Sequence, residues 1–248
     1  MLESEKQRFS ELLERPREEL LVSAGVGTLG EKYLHALFKY YYEPNPDFHE
    51  VGIDRFTADI CRDKDIIEIQ TRSLKRLREK LDFYISEGYY TTVVYPLPHK
   101  KWLSWLDPET GELTPKRRSP KTGTPFDSIY ELYGIKDYLS SGQVQVILEL
   151  IDVWDIKNQN GYGRSHKYRA TRNDRIPLEL YDEIILSEPE DYRIFLPEAL
   201  PDPFTRKDYS KLTRLDGRAL SGAIKILEEM GLIEFIGMDG RKYLYSKG

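Results

Sequence analysis

Residues 55–72 constrain the fold of this chain more than any other stretch. They read Arg55-Phe56-Thr57-Ala58-Asp59-Ile60-Cys61-Arg62-Asp63-Lys64-Asp65-Ile66-Ile67-Glu68-Ile69-Gln70-Thr71-Arg72. A short strand at 57–61 and a second, β-branched and apolar on one side, at 66–71 flank the charged turn Arg62-Asp63-Lys64-Asp65, the pattern of a β-hairpin. Alternate strand residues share a face, so Glu68, Gln70 and Arg72 point one way and Ile67, Ile69 and Thr71 the other. A strand this apolar belongs inside a sheet, where a carboxylate is costly without a partner. Asp59 on the neighbouring strand supplies a second carboxylate. Two converging carboxylates repel, and a bound divalent cation keeps both ionised. Oxygen donors favour Mg²⁺ or Mn²⁺ over zinc.

The flanking pattern extends this hairpin into an α/β unit. Residues 3–21 are helical in pattern, interrupted at Pro16. A helix is predicted over 29–42, with Leu34, Leu37, Phe38 and Tyr41 as its apolar stripe. Residues 48–53 form a first strand. Ser73 caps a helix running to about residue 86, whose apolar face is Leu74, Leu77, Leu81, Tyr84 and Ile85, with Lys75, Arg76, Arg78 and Lys80 mostly opposite. Residues 90–95 are a continuous apolar run, as expected of a buried parallel strand ended by Pro96. The order is helix, three antiparallel strands, helix, parallel strand. Further strands are expected at 100–106 and 144–156, with a helical segment or two within 126–139.

This order and these residues resemble the PD-(D/E)xK nuclease superfamily over roughly residues 25–96. Its motif places an acid on one strand and Glu-x-Lys on the next, after a helix that often carries a further Glu. Asp59 matches the first acid. Glu68-Ile69-Gln70 matches the second element, with Gln70 where lysine is commonest. The resemblance implies a mixed central sheet flanked by helices, with Asp59 and Glu68 as ligands of Mg²⁺ or Mn²⁺. It implies Glu31 as an auxiliary metal ligand, although Thr28-Leu29-Gly30-Glu31 is equally a capping box that accounts for Glu31 without chemistry. Gln70 can orient water or a phosphate oxygen but supplies no cation. Arg72 or Lys75 would take that role.

Two basic stretches lie beyond this core. Residues 116–121 form a turn-rich loop, read either as a solvated loop or as a phosphate clamp. Arg164, Lys167, Arg169 and Arg172 belong to the densest basic cluster, interleaved with Tyr162 and Tyr168, a composition suited to backbone contact and base stacking. Residues 204–248 read as a small α+β winged helix: a short helix capped by Thr205, an amphipathic helix stopped by Gly231, and two strands around Gly237-Met238-Asp239-Gly240. Arg214, Arg218 and Lys225 fall on or before its recognition helix and Arg241 and Lys242 in its wing, where this fold meets DNA. The expected organisation is a nuclease-like domain at 1–157, a basic connecting segment at 158–203 and a winged helix at 204–248.

Composition narrows the function. The chain has 248 residues and a net charge of −5, which argues against indiscriminate nucleic-acid binding while leaving room for local basic faces. A single cysteine excludes an internal disulfide, and no apolar run is long enough to span a bilayer. The cytoplasm is the expected compartment. The reading is a Mg²⁺- or Mn²⁺-dependent nuclease acting on DNA, with no small-molecule cofactor and no membrane partner; a homodimer stays open. The rival is an inactive nuclease fold that binds DNA or serves as a protein-assembly module.

Overall fold

The computed structural model describes residues 3–21, 29–107, 109–158 and 171–248, with backbone alone at 29–32 and 171–173. In chain order the helices are α1 (Glu3–Glu14), α2 (Arg17–Leu21), α3 (Leu29–Tyr42), α4 (Arg78–Ser86), α5 (Ile129–Gly134), α6 (Lys136–Leu139), α7 (Arg206–Thr213) and α8 (Gly217–Glu229). The strands are β1 (His49–Ile53), β2 (Phe56–Arg62), β3 (Asp65–Ile69), β4 (Tyr90–Leu106), β5 (Arg117–Arg118), β6 (Val144–Asn158), β7 (Thr171–Leu186), β8 (Phe204–Thr205), β9 (Ile233–Asp239) and β10 (Lys242–Lys247). The larger sheet has the order β1-β2-β3-β4-β6-β7, with β5 attached to β4. It is mixed: β1 and β2 are antiparallel, whereas β3 and β4 are parallel. A large mixed sheet flanked by helices is therefore the architecture.

The chain divides into two compact units. One comprises Met1–Cys61, Pro96–Gly123 and Glu149–Glu183; the other comprises Arg62–Tyr95, Thr124–Leu148 and Ile184–Gly248. In the first unit, α1 packs on α3 through aromatic side chains. The Phe9 ring lies 5.6 Å from Phe38 and 5.8 Å from Tyr41, and all three are buried. These residues recur at helical spacing, so each helix presents one apolar stripe. β1 and β2 form the hairpin beside them, turning at Asp54, whose φ of 51° lies in the left-handed region that Asp tolerates. In the same unit Leu113 pairs back on Leu106 in an antiparallel bridge.

In the second unit, β3 runs parallel to the start of β4, and a 3-10 turn (Leu74–Leu77) leads into α4 between them. The helix expected from Ser73 thus begins as a tighter turn, and Ser73 makes no side-chain capping bond. A separate three-stranded sheet, ordered β8-β10-β9, closes the chain. Thr205 caps α7, as the sequence predicts, and Asp208 completes a reciprocal capping box with it. Gly231 ends α8 with a φ of 68°, and Leu232 N–H reaches back to the Leu227 carbonyl.

One expectation fails at Pro96. The strand continues through Pro96 and Pro98 to Leu106 as a single 17-residue element. The ladder with β3 reaches only Val94, and Val94 then accepts from Gln70 N–H at 2.9 Å. Beyond that point β4 has no β3 partner for a proline to disrupt.

Candidate functional site

The β1–β2 register pairs His49 with Ile60 and Val51 with Ala58, which sets Glu50 opposite Asp59. Like charges directly opposite on antiparallel strands destabilise a sheet. Two α3 residues one turn apart offset them. His35 Nε2 lies 3.0 Å from Asp59 Oδ2, and the Lys39 ammonium donates to Glu50 Oε1. Lys39 is completely buried, whereas the Glu50 side chain is 46 % exposed. Glu50 also has a φ of 53°, an uncommon conformation for a residue with a side chain.

One donor atom each from His35, Glu50 and Asp59 lies within 4.8 Å of the other two. Oxygen donors on one small divalent ion are separated by at most about 4.2 Å, twice a bond of about 2.1 Å. The cluster would draw in by some tenths of an ångström to hold one. An imidazole with two carboxylates suits Mn²⁺ as well as other first-row ions, while Mg²⁺ favours oxygen alone. The donor set therefore fits a divalent cation, and fits Mn²⁺ better than Mg²⁺.

Glu68 lies in the second unit, on β3, and is 2 % exposed. Lys80 Nζ donates to both of its carboxylate oxygens at 2.8 Å, and Tyr84 OH donates to Oε1 at 3.0 Å. Lys80 and Tyr84 stand four residues apart on α4 and so share a face. Gln70 follows the end of β3, and its side-chain oxygen accepts from Arg72 N–H at 3.4 Å. Arg72 is exposed beyond it, and Lys75 is exposed on the Leu74–Leu77 turn.

The remaining expected residues scatter. The side chains of Glu31 and Arg172, and the whole of Arg164, Lys167 and Arg169, lie outside the described residues. Arg214 caps α7 in the left-handed conformation, and Arg218 is exposed in the first turn of α8. Lys225 pairs with Glu228 at 2.7 Å, while Arg241 and Lys242 are exposed at the β9–β10 turn. Arg117 and Arg118 of the 116–121 loop form β5 against Trp102 and Leu103. The Lys116 ammonium sits 5.2 Å and 5.1 Å from the ring centres of Trp102 and Trp154.

The first unit also buries charge away from this cluster. Arg175 binds Asp155 through two parallel bonds of 2.7 and 3.0 Å, so its charge serves the interior. Glu149 is fully buried on β6 and accepts from Tyr42 OH. Burial pushes its carboxyl up to about 8; the Tyr42 bond opposes this, and nearby Glu183 adds to it.

Sequence reasoning missed His35, Lys39, Glu50 and Lys80. The four-residue spacing of His35 and Lys39 was a signal for the first two. The sequence puts Lys80 among the charges opposite the apolar stripe, although it is four residues from Tyr84 of that stripe. Glu50 had no local signal, because only the strand register brings it opposite Asp59.

Among the described residues no helix is long and apolar enough to cross a membrane. No curated protein and no solved structure matches the chain. Residues 32–187 match one family, and the match takes in His35, Lys39, Glu50, Asp59, Glu68 and Lys80. By that match, which covers more than half of its length, the chain belongs to the family described as a domain of unknown function (DUF8091).

Proposed function

We propose that this protein is a divalent-metal-dependent nuclease that hydrolyses DNA phosphodiester bonds. The observation that carries the reading is the convergence of His35, Glu50 and Asp59 on one point, with Asp59 also the first acid of the nuclease motif. A divalent cation held there would polarise a phosphodiester oxygen and lower the pKa of a bound water. Asp59 and Glu50 would bind the cation through oxygen, and His35 would turn its Nε2 from Asp59 to the ion. The buried Lys39 would keep Glu50 in place. The motif assigns Glu68 as a further ligand and Gln70 as the group that orients water. The segment of α7, α8 and β8–β10 is read as a winged helix that grips DNA through Arg214, Arg218, Lys225, Arg241 and Lys242, joined by Arg164, Lys167, Arg169 and Arg172.

The test is cleavage of supercoiled plasmid and of single-stranded DNA in Mn²⁺, in Mg²⁺ and in chelator, with calorimetric metal titration alongside. Wild type should cut in Mn²⁺, and Asp59→Asn and His35→Ala should lose both cutting and metal heat. Glu68→Gln tests the motif assignment separately. Cleavage that survives in Asp59→Asn would remove the reading.

One observation favours a second reading. Each acid already has a cationic or imidazole partner: Lys39 for Glu50, His35 for Asp59 and Lys80 for Glu68. A nuclease fold that has exchanged metal for ion pairs would bind DNA or a protein partner without cutting. Salt-sensitive DNA binding with no metal heat would select it.

A further inference from the structure

Residues from three separated stretches of the second unit enclose a cleft of ≈ 600 Å³. The size falls within the range of about 300–1,000 Å³ typical of small-molecule sites. Two glycines let the walls close. A Cβ on Gly134 would lie 3.3 Å from Lys75 Cβ, and one on Gly222 would lie 3.2 Å from Tyr133 Cβ. The Leu74–Leu77 turn therefore seats on α5, and α5 seats on α8. Arg218, in the first turn of α8, lines this cleft together with Lys75 and Arg78.

The lining chemistry selects an anion with a planar group attached. Lys75, Arg78 and Arg218 contribute three positive charges against the single carboxylate of Glu131. Glu131 is engaged in the wall itself, where its Oε2 accepts from Leu74 N–H at 3.0 Å. Arg78 shares its charge with Asp137 at 3.2 Å. Among the described residues Lys75 and Arg218 have no ion-pair partner. Ser221 accepts from Arg206 at its Oγ, which brings a fourth cation behind the wall. Tyr130 and Tyr133 are 54 % and 43 % exposed and line the same cleft. Cations and exposed aromatic side chains lining one cleft match a phosphate joined to a nucleobase.

We propose that this cleft binds a nucleoside monophosphate group, with Lys75 and Arg218 on the phosphate and Tyr130 or Tyr133 against the base. The group comes either as a free nucleotide or as the 5′-phosphorylated end of a strand. This goes beyond the nuclease reading, with which it shares Arg218 and Lys75; no residue of the His35–Glu50–Asp59 cluster lines the cleft, so loss of cleavage and loss of nucleotide binding are separable.

The full-length protein, in chelator to prevent cleavage, is titrated calorimetrically with thymidine 5′-monophosphate, thymidine and inorganic phosphate. Two further titrations use one oligonucleotide with and without a 5′-phosphate. Thymidine monophosphate should bind at least about tenfold more tightly than thymidine or phosphate alone, since each loses one of the two contacts. Lys75→Ala and Arg218→Ala, both at exposed positions, should each weaken it about tenfold or more, and Tyr130→Ala should weaken it with phosphate binding unchanged. Oligonucleotide binding that strengthens with the 5′-phosphate assigns a strand end; binding of the free nucleotide without that strengthening assigns a soluble ligand. Asp59→Asn should bind as wild type does, so failed cleavage leaves the proposal standing. Absent binding of both phosphorylated probes, binding indifferent to Lys75 and Arg218, or phosphate bound as tightly as the nucleotide would each overturn it.

Discussion

Lys80 donates to both carboxylate oxygens of Glu68, at 2.8 Å each, from α4, the helix that follows the glutamate's own strand after the Leu74–Leu77 turn. Glu68 is almost wholly buried, so the pair supplies the counter-charge that the strand's apolar surroundings withhold. Removing one partner of a buried pair costs about 3–5 kcal/mol, because the other charge remains. Lys80→Met should therefore destabilise by about 3 kcal/mol, at the lower end because Tyr84 still donates to Glu68. Urea unfolding measures it, and a loss below about 1 kcal/mol would show that Lys80 is not what neutralises Glu68.

Glu50 should matter more than its exposure suggests. Its carboxylate accepts from a lysine with no exposed side-chain surface. Glu50→Ala would leave the Lys39 ammonium buried without it, so a loss of about 3 kcal/mol is expected. Lys39→Met in the same background should recover most of it. Full stability of Glu50→Ala alone would contradict the pairing.

Glu149 makes stability depend on pH. Its carboxyl is raised to about 8 in the fold from an ordinary 4.5, so the folded chain holds the proton more tightly than the unfolded chain. That contribution is complete below the unfolded pKa and is lost as pH rises through the folded one. The melting temperature should fall between about pH 5 and pH 8, and Glu149→Gln should flatten the fall. An unchanged slope in the variant would place the effect elsewhere.

Gly123 has no room for a side chain. A Cβ there would sit 1.9 Å from the Pro98 carbonyl oxygen, and its own N–H already donates to the His99 carbonyl at 2.7 Å. The obstacle is backbone, so Gly123→Ala must displace one of the two segments, at a cost of about 1–3 kcal/mol. Denaturant midpoints compare it with Gly111→Ala, where nothing lies within reach of a Cβ and only the positive φ resists. Equal midpoints for Gly123→Ala and wild type would refute the close approach.

The proposed DNA binding through the C-terminal segment should depend on salt. Arg241 is exposed at the β9–β10 turn, so Arg241→Ala should reduce the slope of log affinity against log salt by about one unit. Affinity measured at several salt concentrations checks this. A slope identical to that of wild type would remove the β9–β10 turn from the proposed DNA contact.

The sequence by itself determined the local elements. Apolar periodicity marks α3, α4 and α8, alternation and β-branching mark β2 and β3, and Thr205 and Gly231 mark where the last helices begin and end. These signals are local because backbone geometry repeats over a few residues. Asp59 and Glu68 stood out for the same reason, as acids inside apolar strands. What the tertiary structure decided is which charges meet. Glu50 faces Asp59 only through strand register, and Lys39 and His35 reach them only because α3 packs on that hairpin. Lys80 turns inward because burial of Glu68 outweighs solvation of one lysine, and Arg175 does the same for Asp155. Long-range pairing of charge depends on distances between elements far apart in the chain, and a sequence pattern carries no such distance.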